Sequence, residues 1–496
     1  MHVSRYRQLD SLLLWVVVPF LGGALTATLG SYWDDAWHTN RGRDSFFIPP
    51  HLLIYGGVLV AGTGLGLWVA REIVRRGRTV LRMDRAVAMA ALGVGATMMA
   101  APIDNLWHTT FGRDAVIWSP PHVLGILGLL SLSLAVLVLV SQRSGAWLAP
   151  TKALLGGAAL TAVNFLVVEY ETDVPQFNER YYLPVLALVS VVTFSLLRSA
   201  NPGRWTATVA AGVQFLLVGV AALFLLGVGW DAPLMPLLLG PAVVFDLGDR
   251  RRWPIPLRVL AHVAVLYALY VPWLNWAYHG VFLSASAVLT GLPLAVLATA
   301  IALWALDGPA RRMPRRAGTA TAALLAVLLL GVSKPSDALA HDPGQGKEVG
   351  RMDQVARVAG SHVELQGRIV VGDCRALRAF DLEARRADRR RHGPLHQSRC
   401  MYHGAITLPG RGRWFVYFDL RRRRAPVESW LPIKLEDSQR RFAERRRSVY
   451  LPNQSPNGPA KTAATVALYA AIVAFIVVIA RFVGEAPNQA ANTGAR

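Results

Sequence analysis

Long runs of apolar residues constrain the fold of this chain more than any other feature of its sequence. Residues 11–30, 52–70 and 282–306 each run for roughly twenty positions with almost no charge. A helix of that length crosses the hydrocarbon core of a bilayer. By this rule the chain has about eleven or twelve such runs, and we count a shorter one at 234–247 among them. We therefore predict an all-α polytopic membrane bundle with a C-terminal β domain.

The formal net charge of +21 follows membrane topology and does not indicate a nucleic-acid partner. Arginines crowd the loops between alternate runs, at residues 71–85, 250–252 and 311–316, and the intervening loops carry far fewer. Because cytoplasmic loops are enriched in Lys and Arg, these loops and the N-terminus are predicted to face the cytoplasm. We expect a multi-pass, oligomeric protein of the bacterial cytoplasmic membrane, with membrane lipid as a partner.

The order of the runs divides the chain into five regions. Residues 1–142 form two helical hairpins, and residues 143–310 add further transmembrane helices. Residues 311–340 combine a basic start, a short apolar stretch and an Ala-Leu-Ala ending, as in a secretory signal peptide placed internally. Cleavage there and an uncut short span both remain open. Residues 341–455 form an exported domain, and residues 456–496 hold a last span and a cytoplasmic tail.

The exported region carries the alternation of a β domain. Residues 363–371 alternate apolar and polar positions, and residues 413–420 form an aromatic-rich strand after a Gly-containing turn. We predict an extracytoplasmic β-sandwich, immunoglobulin-like or cupredoxin-like. Its many arginines are expected to form a solvated basic face, and a surface for an acidic lipid or partner is the alternative. The two cysteines of the chain, Cys374 and Cys400, both lie here. Outside the cytoplasm a disulfide is favoured over a free pair or metal thiolates.

Two further features have alternative interpretations. If the chain is cleaved after Ala340, His341 becomes a free N-terminal histidine whose amine and imidazole can chelate copper, provided that a second histidine converges on the same ion. Four acids within residues 169–179 follow the fifth run. We predict that they form a solvated loop, and a funnel for cations is the alternative.

A duplicated motif follows the first and third runs. Each copy contains Asp-x-x-Trp-His, Gly-Arg-Asp and Pro-Pro-His. The second copy keeps the internal spacing of the first, and only its Pro-Pro-His is displaced by one extra residue. A duplicated helical hairpin explains this repeat. The metal-ligating side chains that it offers are Asp34, His38 and His51 in the first copy and Asp104, His108 and His122 in the second.

The spacing within each copy suits one metal ion. Asp at position i and His at i+4 lie one turn apart on the same face of a helix, and the second His opens the next helix of the hairpin. Two imidazoles and one carboxylate with open positions suit non-haem iron, copper or zinc. The loop residues Arg43, Asp44, Arg113 and Asp114 can orient the histidines through hydrogen bonds. Alternatively, these polar residues cap helices and anchor the membrane interface.

Over about the first 140 residues, the chain resembles the C subunit of the copper membrane monooxygenases, the particulate methane and ammonia monooxygenases. The resemblance rests on Asp34-x3-His38-x12-His51 and Asp104-x3-His108-x13-His122 within a Trp-His, Arg-Asp and Pro-x-His framework. It implies two copper sites, oxidation of ammonia, methane or short hydrocarbons with O2, electrons from quinol, and companion subunits. Asp104 stands where the methane enzymes commonly have Asn. The later spans and the exported domain are not part of that subunit.

These observations support two main classes of function. In the first, a copper site activates O2 and hydroxylates a small substrate that enters from the lipid. In the second, the paired sites and the exported domain acquire, store or pass copper without turnover. A third possibility is a membrane scaffold whose sites only hold helices together.

Overall fold

The computed structural model describes residues 13–41, 47–111, 117–143, 145, 147–175, 177–276, 283–307, 346–435, 440–452 and 459–484. Within these residues, a helical region up to residue 307 precedes a β domain and one C-terminal helix.

Among the described residues, eleven helices contain twelve residues or more. Ten of these, counting the short turns that continue α5 to Glu171, are long and apolar enough to cross a membrane. The predicted polytopic bundle is therefore confirmed. The helices are α1 Val18–Asn40, α2 Pro49–Arg76, α3 Arg85–Phe111, α4 Pro120–Ser141, α5 Leu148–Asn164, α6 Tyr182–Ala200, α7 Thr206–Gly227, α8 Leu239–Arg250, α9 Ile255–Trp276, α10 Ala285–Asp307 and α11 Pro459–Gly484.

The run at 234–247 forms a helix too short to span a membrane. α8 has 12 residues and ends on charged side chains, and the segment before it is not helical. Pro233 and Pro236 explain this start, because proline lacks a backbone N–H and disfavours helix in the residue before it. The Tyr270 hydroxyl accepts a hydrogen bond from the Leu237 N–H at 2.9 Å and fixes the extended segment. The other short run, at 317–332, lies outside the described residues.

The two motif-bearing hairpins pack through equivalent close contacts. In the first, a Cβ on Gly57 of α2 would lie 2.5 Å from the carbonyl oxygen of Gly23 on α1. In the second, a Cβ on Gly128 of α4 would lie 2.9 Å from the backbone nitrogen of Thr97 on α3. Gly57 and Gly128 occupy the same position relative to the Pro-Pro-His that opens each helix. The repeat thus includes the helix contact, since small residues let membrane helices approach closely.

The described residues from 346 to 452 form nine antiparallel strands in one sheet of order β4-β3-β7-β8-β9-β1-β2-β6-β5. The predicted C-terminal β domain is therefore confirmed. The strands are β1 Gly346–Ala359, β2 His362–Val371, β3 Leu377–Arg386, β4 Arg389–Gly393, β5 Leu395–Ser398, β6 Met401–Thr407, β7 Gly412–Arg422, β8 Ala425–Leu435 and β9 Arg440–Pro452.

This sheet curls into a nearly closed barrel, where two separate sheets of a sandwich were expected. A Cβ on Gly393 of β4 would lie 2.5 Å from the Ala405 carbonyl oxygen of β6, so the two ends of the sheet meet. Bulges in β1, β2 and β3 bend the long strands and allow this curvature. The barrel encloses an apolar core that includes Trp414. The predicted disulfide between Cys374 and Cys400 is present, with 5.3 Å between their Cα atoms.

Candidate metal centre

The first Asp/His/His motif converges where α1 ends and α2 begins. Asp34 and His38 lie one turn apart near the end of α1, and His51 follows the Pro49-Pro50 start of α2. Proline suits the first helical position because its missing N–H would have no partner there. An Asp34 carboxylate oxygen lies 3.1 Å from Nε2 of His51 and 3.5 Å from Nε2 of His38.

These distances suit a shared metal ion. All three candidate ligand atoms lie within 4.8 Å of one another. Metal–ligand bonds of about 2.1 Å place tetrahedral ligand atoms about 3.4 Å apart, close to both Asp34–His separations. His38 is 3% exposed and His51 and Asp34 are 15% and 18% exposed, so the site is shielded from water. The carboxylate faces both imidazoles, as a shared metal ion would need.

The second motif repeats this framework in its described residues. An Asp104 carboxylate oxygen on α3 lies 3.4 Å from Nε2 of His122 on α4. The Ser119 hydroxyl lies 3.1 Å from Nδ1 of His122, and this contact orients the imidazole with its other nitrogen toward Asp104. The backbone of His108 continues α3 one turn after Asp104, and its side chain lies outside the described residues.

Both motifs line a single cavity of about 170 Å³ between the two hairpins. Its polar wall includes Asp34, His38 and His51 from one hairpin and Asp104 and His122 from the other. The remaining wall is mainly apolar and includes Ile54, Val58, Ala100, Ala101, Gly125, Ile126, Leu129, Phe165 and Val168.

Several predicted residues fall outside the described portion of the chain. Arg43, Asp44, Arg113 and Asp114, predicted to orient the histidines, lie in the two hairpin loops, and His341 precedes β1. Their roles remain predictions.

Asp35 was not predicted as a site residue, although it is 8% exposed and lines the same cavity. The second copy of the motif has Asn105 at this position, so the repeat gave no signal for it.

The β domain lies against the end of the helical region that holds the triad. Arg447 of β9 is 5% exposed and donates a hydrogen bond from Nη2 to the Thr39 carbonyl oxygen at 3.0 Å. Arg445 donates from Nη1 to the Asn40 carbonyl oxygen at 3.5 Å. Both carbonyls belong to the last turn of α1, where the helix itself supplies no N–H partner. The β domain thus contacts the chain directly after His38.

The acids at 169–179 are buried, two of them against the β domain, and the predicted solvated loop is wrong. All four side chains are at most 7% exposed. Arg413 Nε lies 3.7 Å from an Asp173 carboxylate oxygen, and Arg389 Nη2 lies 3.1 Å from a Glu179 carboxylate oxygen. The predicted solvated basic face is also wrong for Arg413, whose side chain is buried against the acids. Burial raises the pKa of the Asp173 carboxyl to about 6, and the Arg413 guanidinium opposes that rise.

An apolar contact completes the interface. Val174, between the acids, is fully buried in a cluster with Phe415, Tyr417 and Trp430 of the β domain. The Ala387 N–H donates to the Pro175 carbonyl oxygen at 3.0 Å. Sequence periodicity could not have predicted these contacts, since they join segments that lie far apart along the chain.

Comparison of this chain with protein-family models, with curated proteins and with solved structures found no match.

Proposed function

We propose that this chain is a copper-binding integral membrane protein that oxidises a small apolar or ammonia-like substrate with O2. One observation carries the proposal: Asp/His side chains of two separate hairpins line the same small cavity. A pair of sites that only held helices together would need no cavity between them. The resemblance to the C subunit of copper membrane monooxygenases supports the same function.

The walls of the cavity favour a small and weakly polar substrate. The serine and threonine hydroxyls in the wall are bound within their own helices. Ser31 Oγ donates to the Ala27 carbonyl oxygen at 2.9 Å, and Thr97 Oγ1 donates to the Gly93 carbonyl oxygen at 2.6 Å. The cavity measures about 170 Å³. Ammonia, methane and short hydrocarbons are small enough to enter it.

The proposed reaction balances with a quinol as the reductant. One oxygen atom of O2 enters a C–H or N–H bond of the substrate, and the other leaves as water. The quinol supplies the two electrons and two protons that this requires and becomes a quinone. Bound copper would supply the chemistry that activates O2, held by Asp34, His38 and His51 and by Asp104, His108 and His122. Iron could serve instead, whereas zinc could not, because it has no redox chemistry.

The proposal includes a location and partners. The arginine-rich stretch at 71–85 joins α2 and α3 at the end of these helices opposite the triad, which favours an extracytoplasmic metal centre and β domain in a bacterial cytoplasmic membrane. The disulfide favours the same side, because disulfides persist outside the cytoplasm. Companion monooxygenase subunits and an oligomeric state follow from the proposed resemblance.

Metal content tests the site. Purified full-length protein in nanodiscs would be compared with His38→Ala, His108→Ala and the double variant, and metal per chain measured by mass spectrometry. We expect copper to fall stepwise, one site for each variant. His392→Ala is the matched control, since His392 is an exposed histidine of the β domain that is hydrogen-bonded to Asp381. Equal metal in wild type and the double variant, with both folded, would refute both sites.

Measuring product formation distinguishes an oxygenase from a protein that only binds and transfers copper. Copper handling is the second candidate because the β domain contacts the metal-bearing end of α1. Copper-loaded protein would be supplied with quinol, O2 and ammonia or a short alkane, with its companion subunits if they are encoded nearby. A hydroxylated product that is lost in His38→Ala supports the oxygenase. Transfer of copper to a chelator or a carrier protein without any product supports handling.

A further inference from the structure

A second, larger cavity lies at the opposite end of the helical region from the metal centre. Its volume is about 850 Å³, and it lies between residues 15–19, at the start of the helical region, and the outer face of α2. Along α2, the path from His51 to Arg71 corresponds to about 30 Å of helix. This groove therefore has no part in the metal site.

One end of the groove is apolar and open. Trp15, Leu59 and Leu67 line it and are 68%, 58% and 63% exposed. Pro19 and Trp68 complete this wall. Such side chains on the outside of a membrane bundle are suited to contact with acyl chains.

The other end of the groove is basic. Arg71, Arg75, Arg76 and Arg143 line it, together with the acid Glu72. Arg76 forms ion pairs with Asp84, at 2.8 Å, and with Glu72, at 3.5 Å. The other three arginines are exposed. The rim therefore has a net positive charge, and guanidinium groups bind phosphate with matched hydrogen-bond geometry.

The length of the groove fits one leaflet of a bilayer. From Leu59 to Arg71 the helix advances about 18 Å, and half of a hydrocarbon core measures about 15 Å. A ligand for this groove thus needs an apolar tail that spans a leaflet and an anionic head at its end. Arg143 follows α4, so the head would be held by both hairpins.

We propose that this groove binds an anionic glycerophospholipid. Its phosphate lies among Arg71, Arg75 and Arg143, and an acyl chain runs along Leu59 and Leu67. Bound there, the lipid ties together the two hairpins that line the metal cavity. The basic rim is not repeated on the second hairpin, because Gln142, directly after α4, stands at the position that corresponds to Arg71.

Lipid retention by the full chain tests this proposal. Wild type, Arg71→Gln/Arg75→Gln and Arg71→Lys/Arg75→Lys would be exchanged into phosphatidylglycerol or phosphatidylcholine, with retained lipid counted by native mass spectrometry and thermal stability measured in each. We expect wild type and the Lys variant to retain one phosphatidylglycerol and gain thermal stability from it. The Gln variant should lose at least tenfold in retention.

The control removes equal charge at the same end of the helices. Arg251→Gln/Arg252→Gln changes two exposed arginines in the loop after α8 and should retain lipid as wild type does. Inorganic phosphate alone should give no stabilisation, because it lacks the acyl chain. Equal retention by the Gln variant, an equal loss in the control, or equal binding of phosphatidylcholine would overturn the proposal.

Discussion

Arg447 links the β domain to the end of α1 that carries two of the proposed metal ligands, and its replacement by glutamine tests that link. The guanidinium carbon lies 4.2 Å from the centre of the Trp430 ring, and Nη2 donates to the Thr39 carbonyl oxygen at 3.0 Å. A hydrogen bond from a charged donor contributes about 1.5–3 kcal/mol, and a desolvated cation–π contact about 2 kcal/mol. Burial of the cation offsets part of this gain. We expect Arg447→Gln to weaken docking of the β domain by about 2 kcal/mol, some thirtyfold.

The same change should weaken metal binding at the first site. Thr39 follows His38 directly, so a loosened end of α1 misplaces a ligand. Loss of a group that orients a metal ligand typically costs 10- to 100-fold in affinity, and here we expect about tenfold. The assay is a competition titration with a copper chelator, alongside limited proteolysis of the β domain.

A neighbouring arginine supplies the control for this prediction. Arg446 is exposed and pairs with Asp353 at 2.6 Å. Arg446→Gln should change neither copper affinity nor proteolysis. If Arg447→Gln keeps the copper affinity of wild type while docking is measurably weaker, the β domain does not hold the metal-bearing helix end and the reasoning fails.

Three further perturbations follow from the structure. Gly57→Ala should destabilise the first hairpin by about 2–4 kcal/mol in thermal or denaturant unfolding, since its Cβ would lie 2.5 Å from a carbonyl oxygen, whereas Gly56→Ala has open space and should be neutral. Asp173→Asn should stabilise the docked β domain at pH 7 and match wild type near pH 4. The folded-state pKa of Asp173 is raised from 3.8 to about 6, so the protonated carboxyl contributes to folding stability below pH 4, and this contribution is lost as the pH rises to 6. If Asp173→Asn were less stable than wild type at pH 7, ion pairing of Asp173 would outweigh the cost of its burial. Changing Cys374 and Cys400 together to serine should lower the free energy of unfolding of the β domain by about 3.5 kcal/mol, because the disulfide closes a loop with a sequence separation of 26. Thermal unfolding measures this loss, and an unchanged midpoint temperature would contradict it.

The sequence by itself determined the membrane spans, the duplicated hairpin and the first triad. These depend on local rules: a run of apolar residues long enough for a bilayer, one helical turn between Asp34 and His38, and a tight return to His51. The disulfide was predictable because Cys374 and Cys400 are the only two cysteines of the chain.

Only the tertiary structure decided how these elements meet. The shared cavity depends on how two hairpins pack, and no spacing within either copy specifies that contact. The acids at 169–179 look solvated in sequence, yet all four are buried, and Asp173 and Glu179 lie against arginines of the distant β domain. Long-range charge pairing of this kind leaves no periodic signal, because it depends on which surfaces the folded domains present to each other. For the same reason the sequence did not predict that the β domain would contact the end of α1.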